Sequence, residues 1–230
     1  MQKWLAVVIV MLLVVAGMFA TGCGKSPAEK EGVLPSLEVG DTWVQKVISD
    51  GIEYTMTTDI IGEDTTEGRE TYVVKLSVEP PFEGLLGALE GKIDKLTLHT
   101  LRLQWSGELG VPFIAVSSST YEPSEATLYP LEVGKELTLT ETETSQITAL
   151  GEKETETETS TYTLKVESIE QVTVPAGTFR TFKVVTYDEL GSALETEWKS
   201  DAVKLFNVKR IDHESGDISE LLSYSLVGAK

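Results

Sequence analysis

Between Thr42 and Leu226, apolar, β-branched and aromatic side chains return at every second residue, in run after run bounded by Gly, Pro, Asp and Ser. A period of two places alternate side chains on opposite faces of a strand, so the pattern restricts this stretch to β structure. The runs are 42–49, 52–62, 70–79, 95–105, 113–119, 136–150, 153–174, 178–189, 194–200, 205–212 and 218–226. Only 82–92 departs, with Phe82, Leu85, Leu86 and Leu89 at the spacing of a helical face. Its glycines weaken that reading, each costing a helix about 1 kcal/mol. Many strands, short turns and at most one short helix near 82–92 imply an antiparallel all-β fold, either a β-sandwich or a curved half-barrel-like sheet.

The stretch 136–166 interleaves Thr and Glu on both sides of Leu150-Gly151-Glu152-Lys153. A II′ hairpin loop takes glycine first, which selects Gly151-Glu152 and sets Leu139 against Leu164 and Thr142 against Thr161. Sliding the loop back by one residue at each end would oppose Glu143 to Glu158, a like-charge pair. One face of this arm is a threonine ladder and the other carries Glu141, Glu143, Glu154, Glu156 and Glu158. Neither distal face is apolar, so the tip is expected to project into solvent. Glutamates two apart on a strand lie about 7 Å from each other, too spread to close around one calcium ion. They read as a solvated edge that resists sheet-to-sheet aggregation.

Leu37-Glu38-Val39-Gly40-Asp41 is echoed by Leu131-Glu132-Val133-Gly134-Lys135, each soon after a proline and each ahead of an alternating run. Two related halves, 37–120 and 121–230, and a coincidence between two turn-plus-strand starts are both compatible with so short a match.

The N-terminus has a different character. Lys3 precedes an apolar run from Trp4 to Ala20, shorter than the roughly 20 residues that a membrane-spanning helix needs. The run ends in Phe19-Ala20-Thr21-Gly22-Cys23, which holds the chain's single cysteine. A positive start, a short apolar stretch and small residues at the end are the marks of a cleaved signal. The arrangement resembles a bacterial lipoprotein signal with its lipobox, and the resemblance implies cleavage before Cys23 and attachment of lipid to its sulfur. Residues 1–22 then form the signal helix, 23–36 a lipidated flexible tether, and 37–230 the all-β domain. The implied location is extracytoplasmic, at the cell membrane or outer membrane. Lipidation would leave no thiol, so the fold must stand on its core alone, and roughly 200 residues suffice for that.

The second half carries a further resemblance. Tyr129-Pro130-Leu131-Glu132-Val133-Gly134-Lys135, Val174-Pro175-Ala176-Gly177-Thr178-Phe179, Glu197-Trp198-Lys199-Ser200 and Val203-Lys204-Leu205-Phe206-Asn207-Val208-Lys209 are similar to motifs of the DUF3108-like β-proteins of bacterial envelopes. The likeness covers about 128–226, with Lys204 where that group usually has glycine. It implies a curved antiparallel sheet, comparable in some members to lipoprotein-carrier half-barrels, and transfers no catalytic residue.

Chemistry is otherwise sparse. The formal net charge of −18 excludes a basic nucleic-acid face and repels acidic head groups, so membrane contact falls to the lipid on Cys23. Hydrolytic triads and zinc sites need more than His99, in an alternating run, and His213, in the polar turn 212–217. Asp212, Glu214 and Asp217 lack the EF-hand spacing. Trp43, Trp105 and Trp198 occupy core-like positions, leaving no aromatic platform for a sugar. No catalytic, cofactor-binding or metal residue is assigned. The expectation is a lipid-anchored, non-catalytic binding or structural module of the envelope, with a hydrophobic ligand or an envelope protein as partner. A carrier sheltering an acyl chain in a curved sheet, and a secreted hydrolase built on paired acids, are the alternatives.

Overall fold

The computed structural model describes residues 32–66, 68–80, 86–95, 100–108 and 112–228; the signal segment, Cys23 and His99 lie outside the described residues. Twelve strands follow one another: β1 (Thr42–Ser49), β2 (Ile52–Thr66), β3 (Arg69–Glu79), β4 (Leu86–Asp94), β5 (Thr100–Glu108), β6 (Pro112–Glu122), β7 (Glu136–Ala149), β8 (Glu152–Val174), β9 (Gly177–Tyr187), β10 (Ala193–Lys199), β11 (Asn207–Asp212) and β12 (Ile218–Ser225). Each pairs antiparallel with the next, and β12 pairs with β1. The all-β class is as expected, but the architecture is a closed up-and-down barrel rather than a sandwich or half-barrel. Closure removes sheet edges, which period-two alternation alone does not reveal.

The helix expected near 82–92 is replaced by β4 over its described part. Leu89 pairs with Leu76 and with Trp105, and a Cβ on Gly91 would approach Leu103 Cδ2 to 3.0 Å. Glycine that weakens a helix here leaves room for the Leu103 side chain.

Inward-facing side chains form two apolar clusters. The larger gathers Trp43, Val47, Met56, Ile60, Val74, Ile93, Leu103, Trp105, Phe206 and Leu221, among others. In it Trp43 stacks on Phe206 at 4.7 Å and donates Nε1–H to the Val203 carbonyl at 3.1 Å. The smaller gathers Leu128, Leu131, Leu139, Leu164, Val166, Phe182, Val184 and Leu205. Trp198, expected in the core, instead donates to the Glu170 carboxylate on an exposed surface. The alternation was right and the face assigned to it wrong.

The β7–β8 hairpin also departs from the expected register. Its turn is Leu150-Gly151 with φ of 53° and 82°, the I′ geometry whose twist suits a hairpin, and Glu143 does face Glu158. Ser117 and Ser145 both donate to Glu143 Oε1, and Glu158 is exposed, which relieves the repulsion. The adopted register aligns Leu137 with Leu164, pairs Glu136 with Lys165 as an ion pair, and keeps four Thr–Thr hydroxyl contacts, of which Thr138–Thr163 is shortest at 2.9 Å. Nor is the arm free of the core, for Ile147 and Ala149 pack against the larger cluster. Because β8 meets β9 only from Thr163 onward, residues 152–162 bond to β7 alone among the described strands.

Residues 32–36, expected at the end of the tether, are docked. Gly32 N–H donates to both Asp201 carboxylate oxygens, at 3.1 and 3.2 Å, its carbonyl accepts from Leu131 N–H at 2.7 Å, and Leu34 packs on the core. Gly32 has φ of 68°, and a Cβ there would fall 2.8 Å from Leu131 Cβ. Gly32→Ala is therefore expected to release this segment, read as new protease cleavage between residues 32 and 36 with the barrel intact. An unchanged digestion pattern would show that the docking is not needed.

Candidate functional site

Polar side chains that a barrel interior of this kind does not require are concentrated on β10 and β11. Glu195, Glu197 and Lys199 alternate along β10 and face inward, and Arg210 joins them from β11. Arg210 grips Glu195 with two donors, Nε on Oε1 and Nη2 on Oε2, the second at 2.9 Å. Lys199 Nζ lies 2.7 Å from Glu197 Oε2 and 3.1 Å from Asn207 Oδ1, while Asn207 Nδ2 donates to Glu197 Oε1. Lys199 is 2% exposed and Glu197 6%, so both ions are held by one another rather than by water. Gln45 reaches in from β1 and donates Nε2–H to the Asn207 carbonyl at 3.2 Å. Cross-strand, Glu197 meets Val184 and Lys199 meets Phe182, both members of the smaller cluster.

The opposite wall adds more acid. The 3₁₀ turn Glu125–Leu128, capped by Ser124, follows β6 and buries Leu128 in the smaller cluster. Its Glu125 carboxyl is pushed up to about 7, first by burial and then by Glu197, Glu195 and Glu141, against the pull of Lys199. Burial also raises Glu195, with Arg210 opposing, and raises Glu141, with bonds to Tyr121 and Ser119 opposing. The Tyr129 and Tyr121 hydroxyls are pushed well up by burial and by these carboxylates. Tyr54, on β2, reaches about 12 through burial and Asp217, with Arg210 opposing. The network thus spans β1, β2, β6, β7, β10 and β11, with the 3₁₀ turn after β6 and Asp217 just ahead of β12.

Three buried polar atoms have no partner among the described residues: Gln45 Oε1, Thr58 Oγ1 and the Tyr129 hydroxyl. Gln45 is 1% exposed. Glu125, Glu141 and Glu195 are half-buried, so the cluster reaches solvent on their side. From there the inward face of the arm continues through Glu143 on β7 to Glu158, Glu156 and Glu154 on β8. These acids make a graded path from an exposed arm to a buried cluster.

Matched registers place this cluster against a counterpart. Gly40 N–H donates to the Ile60 carbonyl at 2.8 Å and Ile60 N–H to the Asp41 carbonyl at 2.9 Å; Gly134 N–H donates to Val166 at 2.8 Å and Val166 N–H to Lys135 at 2.9 Å. Ile60 pairs with Val74 and Val166 with Val184, each just before a bulge. Counting across the following ladders, Glu195, Glu197, Lys199 and Arg210 fall where β4 and β5 carry Leu89, Gly91, Ile93 and Leu103. Another bulge recurs, between Lys92 and Ile93 and between Trp198 and Lys199. The same ladder therefore closes over apolar side chains in one place and over ions in the other.

The residues weighed from sequence lie elsewhere. Cys23 and His99 are outside the described residues. His213 is exposed, with Nε2 2.8 Å from Thr196 Oγ1. Asp212 Oδ1 accepts from the backbone of Glu214 and Ser215 at 2.9 and 2.8 Å, a turn bond rather than a cation loop. Among the described residues no group of three or more His, Cys, Asp or Glu is placed to hold a metal ion, and no helix is long and apolar enough to cross a membrane. The alternating charges Glu195, Glu197 and Lys199 were the available signal. Taking Trp198 as inward put them on the wrong face.

No family model matches the chain, so the DUF3108-like resemblance rests on its motifs, and no curated protein matches it. Two solved structures are similar in outline. One is a protein described as exported, with a YmcC-like fold, from Bacteroides fragilis: 10% identity, TM-score 0.35, covering 83% of this chain and 97% of that one. The other is described as a lipoprotein from Parabacteroides distasonis: 13% identity, TM-score 0.36, covering 86% of this chain and all of that one.

Proposed function

We propose that the protein is a non-catalytic binding module of the bacterial envelope, exported and held at a membrane by lipid on Cys23, with its ligand site in the polar interior of the barrel. The observation that carries this is the placement of Glu195, Glu197, Lys199 and Arg210 where the matched strands hold Leu89, Gly91, Ile93 and Leu103. Buried ion pairs are often no better for stability than apolar side chains of similar volume. Charge at Glu195, Lys199 and Arg210, where the matched strands hold Leu89, Ile93 and Leu103, is thus better explained by recognition. The same comparison supports two related halves, 37–120 and 121–230, of which the second has become polar inside. An acyl-chain carrier needs an apolar hollow, and the larger cluster is instead filled by stacked Trp43 and Phe206.

Native mass spectrometry of the full chain extracted from its own membranes tests this. The expected result is a small molecule carried by the folded chain and released on unfolding. Identical masses before and after unfolding, once the lipid is counted, would sink the reading.

One observation favours a second reading, a hydrolase, because Glu125 titrates near neutrality beside an ionic cluster, as a general acid does. The neighbouring carboxylates are already engaged, Glu195 by Arg210, Glu197 by Lys199 and Asn207, and Glu141 by Tyr121 and Ser119, which argues against any of them as the base. Turnover of a glycan that Glu125→Gln abolishes would install this reading in place of the first.

A further inference from the structure

Resting on the interior site just proposed, the geometry points to its ligand class: we infer a small organic polycation, with ammonium groups on a flexible chain. Carboxylates outnumber cations in the cluster among the described residues, with Glu125, Glu141, Glu195, Glu197 and Asp217 set against Lys199 and Arg210. The cluster also holds acceptors that want a donor. Gln45, fully buried and anchored on the carbonyl of Asn207, leaves Oε1 without a partner, and the buried Tyr129 hydroxyl is likewise unpartnered among the described residues. An ammonium group supplies donors and positive charge together. Tyr121, Tyr129 and Tyr162 pack around the smaller cluster beside these acids, and an aromatic ring attracts such a cation.

The approach fits the same ligand. Glu154, Glu156, Glu158, Glu143 and Glu141 share the inward face of β7 and β8, from the exposed arm to the half-buried wall. An acidic path of this kind raises the local concentration of cations and their rate of arrival. A compact metal ion is a poorer match, because no set of three or more ligands converges among the described residues. An anionic or purely apolar molecule would meet carboxylates at every step.

Spermidine, a linear polyamine, is the probe, titrated calorimetrically into the full chain in neutral detergent, with magnesium at equal charge concentration as control. Saturable binding that magnesium does not displace is expected. Glu125 must be ionised to receive an ammonium, so affinity should rise roughly eightfold from about pH 6 to about pH 7.5 as its carboxyl loses its proton. The groups that face it are Lys199, Glu197 and Glu195 on β10 and Glu141 on β7, with Tyr129 beside it. Glu125→Gln should weaken binding at least tenfold at the higher pH and flatten this dependence. If that variant fails to fold, changing Glu154, Glu156 and Glu158 together to Gln on the exposed arm should slow association severalfold at low salt. No saturable binding, equal displacement by magnesium, or variants indistinguishable from the parent would overturn the inference. An apolar or anionic molecule found by native mass spectrometry would overturn the ligand class while leaving the binding module standing.

Discussion

Asp41→Ala is expected to cost about 3–5 kcal/mol of stability. Asp41 is 0% exposed, and its carboxylate ties together three distant segments. Oδ2 accepts from Lys204 Nζ at 2.6 Å and from Glu38 N–H at 2.7 Å, and Oδ1 accepts from Val227 N–H at 2.8 Å. Removing it leaves a buried ammonium with only the half-exposed Glu38 carboxylate, 3.3 Å away, and two amides without acceptors, each of which carries a desolvation cost. Lys204 also stands with φ of 56° and is followed by Leu205 at 52°, two left-handed residues that glycine would adopt without strain. The ion pair accounts for a lysine there. Val203, Leu205 and Phe206 are thereby pressed into both apolar clusters. Urea melts of Asp41→Ala, of Lys204→Met, and of Asp41→Ala combined with Lys204→Met would measure this. The double change should cost at least 1 kcal/mol less than the sum of the singles, as expected of contacting partners. Single changes each costing under about 1 kcal/mol would show the clamp to be ornamental.

How far the sequence revealed this molecule follows from what alternation encodes. Period two marked eleven of the twelve strands, several to within a residue, because each buries one face. It missed β4, where Leu86 and Leu89 imitate a helical spacing and the reason for glycine, the approach of Leu103 to Gly91, is a tertiary fact. Closure was illegible for a similar reason, since the pairing of Thr42 with Ser225 joins the ends of the domain. The hairpin register failed on electrostatics judged from two residues. Ser117, a neighbour on the next strand, is what makes Glu143 opposite Glu158 tolerable. At the candidate site the charges of β10 were visible but their direction was not. A strand with ions on one face and Trp198 between them reads outward-polar until the barrel turns it over.

The second large effect concerns Glu125, and its sign is opposite to that of Asp41. Its carboxyl rises from the ordinary 4.5 to about 7 on folding, chiefly through burial, so between those values the folded chain binds a proton that the unfolded chain has lost. Stability must then fall as pH rises through this window, with the full penalty present above about pH 7 and none below the unfolded value. The size of the shift corresponds to about 3 kcal/mol. Glu195 and Glu141 are raised as well and push in the same direction. Glu125→Gln, which keeps the shape of the protonated side chain, should therefore stabilise the protein by up to about 3 kcal/mol near pH 8 and change it little near pH 4. Thermal melts across that range check it, with the parent losing stability on the alkaline side and the variant losing less. A parent curve that is flat between pH 5 and pH 7.5, or a variant that follows it in parallel, would mean that Glu125 ionises as freely folded as unfolded. The expected outcome instead makes Glu125 a residue kept at the expense of stability, which is how a binding group differs from a structural one. A polycation that neutralises it would restore what the empty barrel loses, so added spermidine should raise the melting temperature of the parent more than that of Glu125→Gln, and more at pH 7.5 than at pH 6.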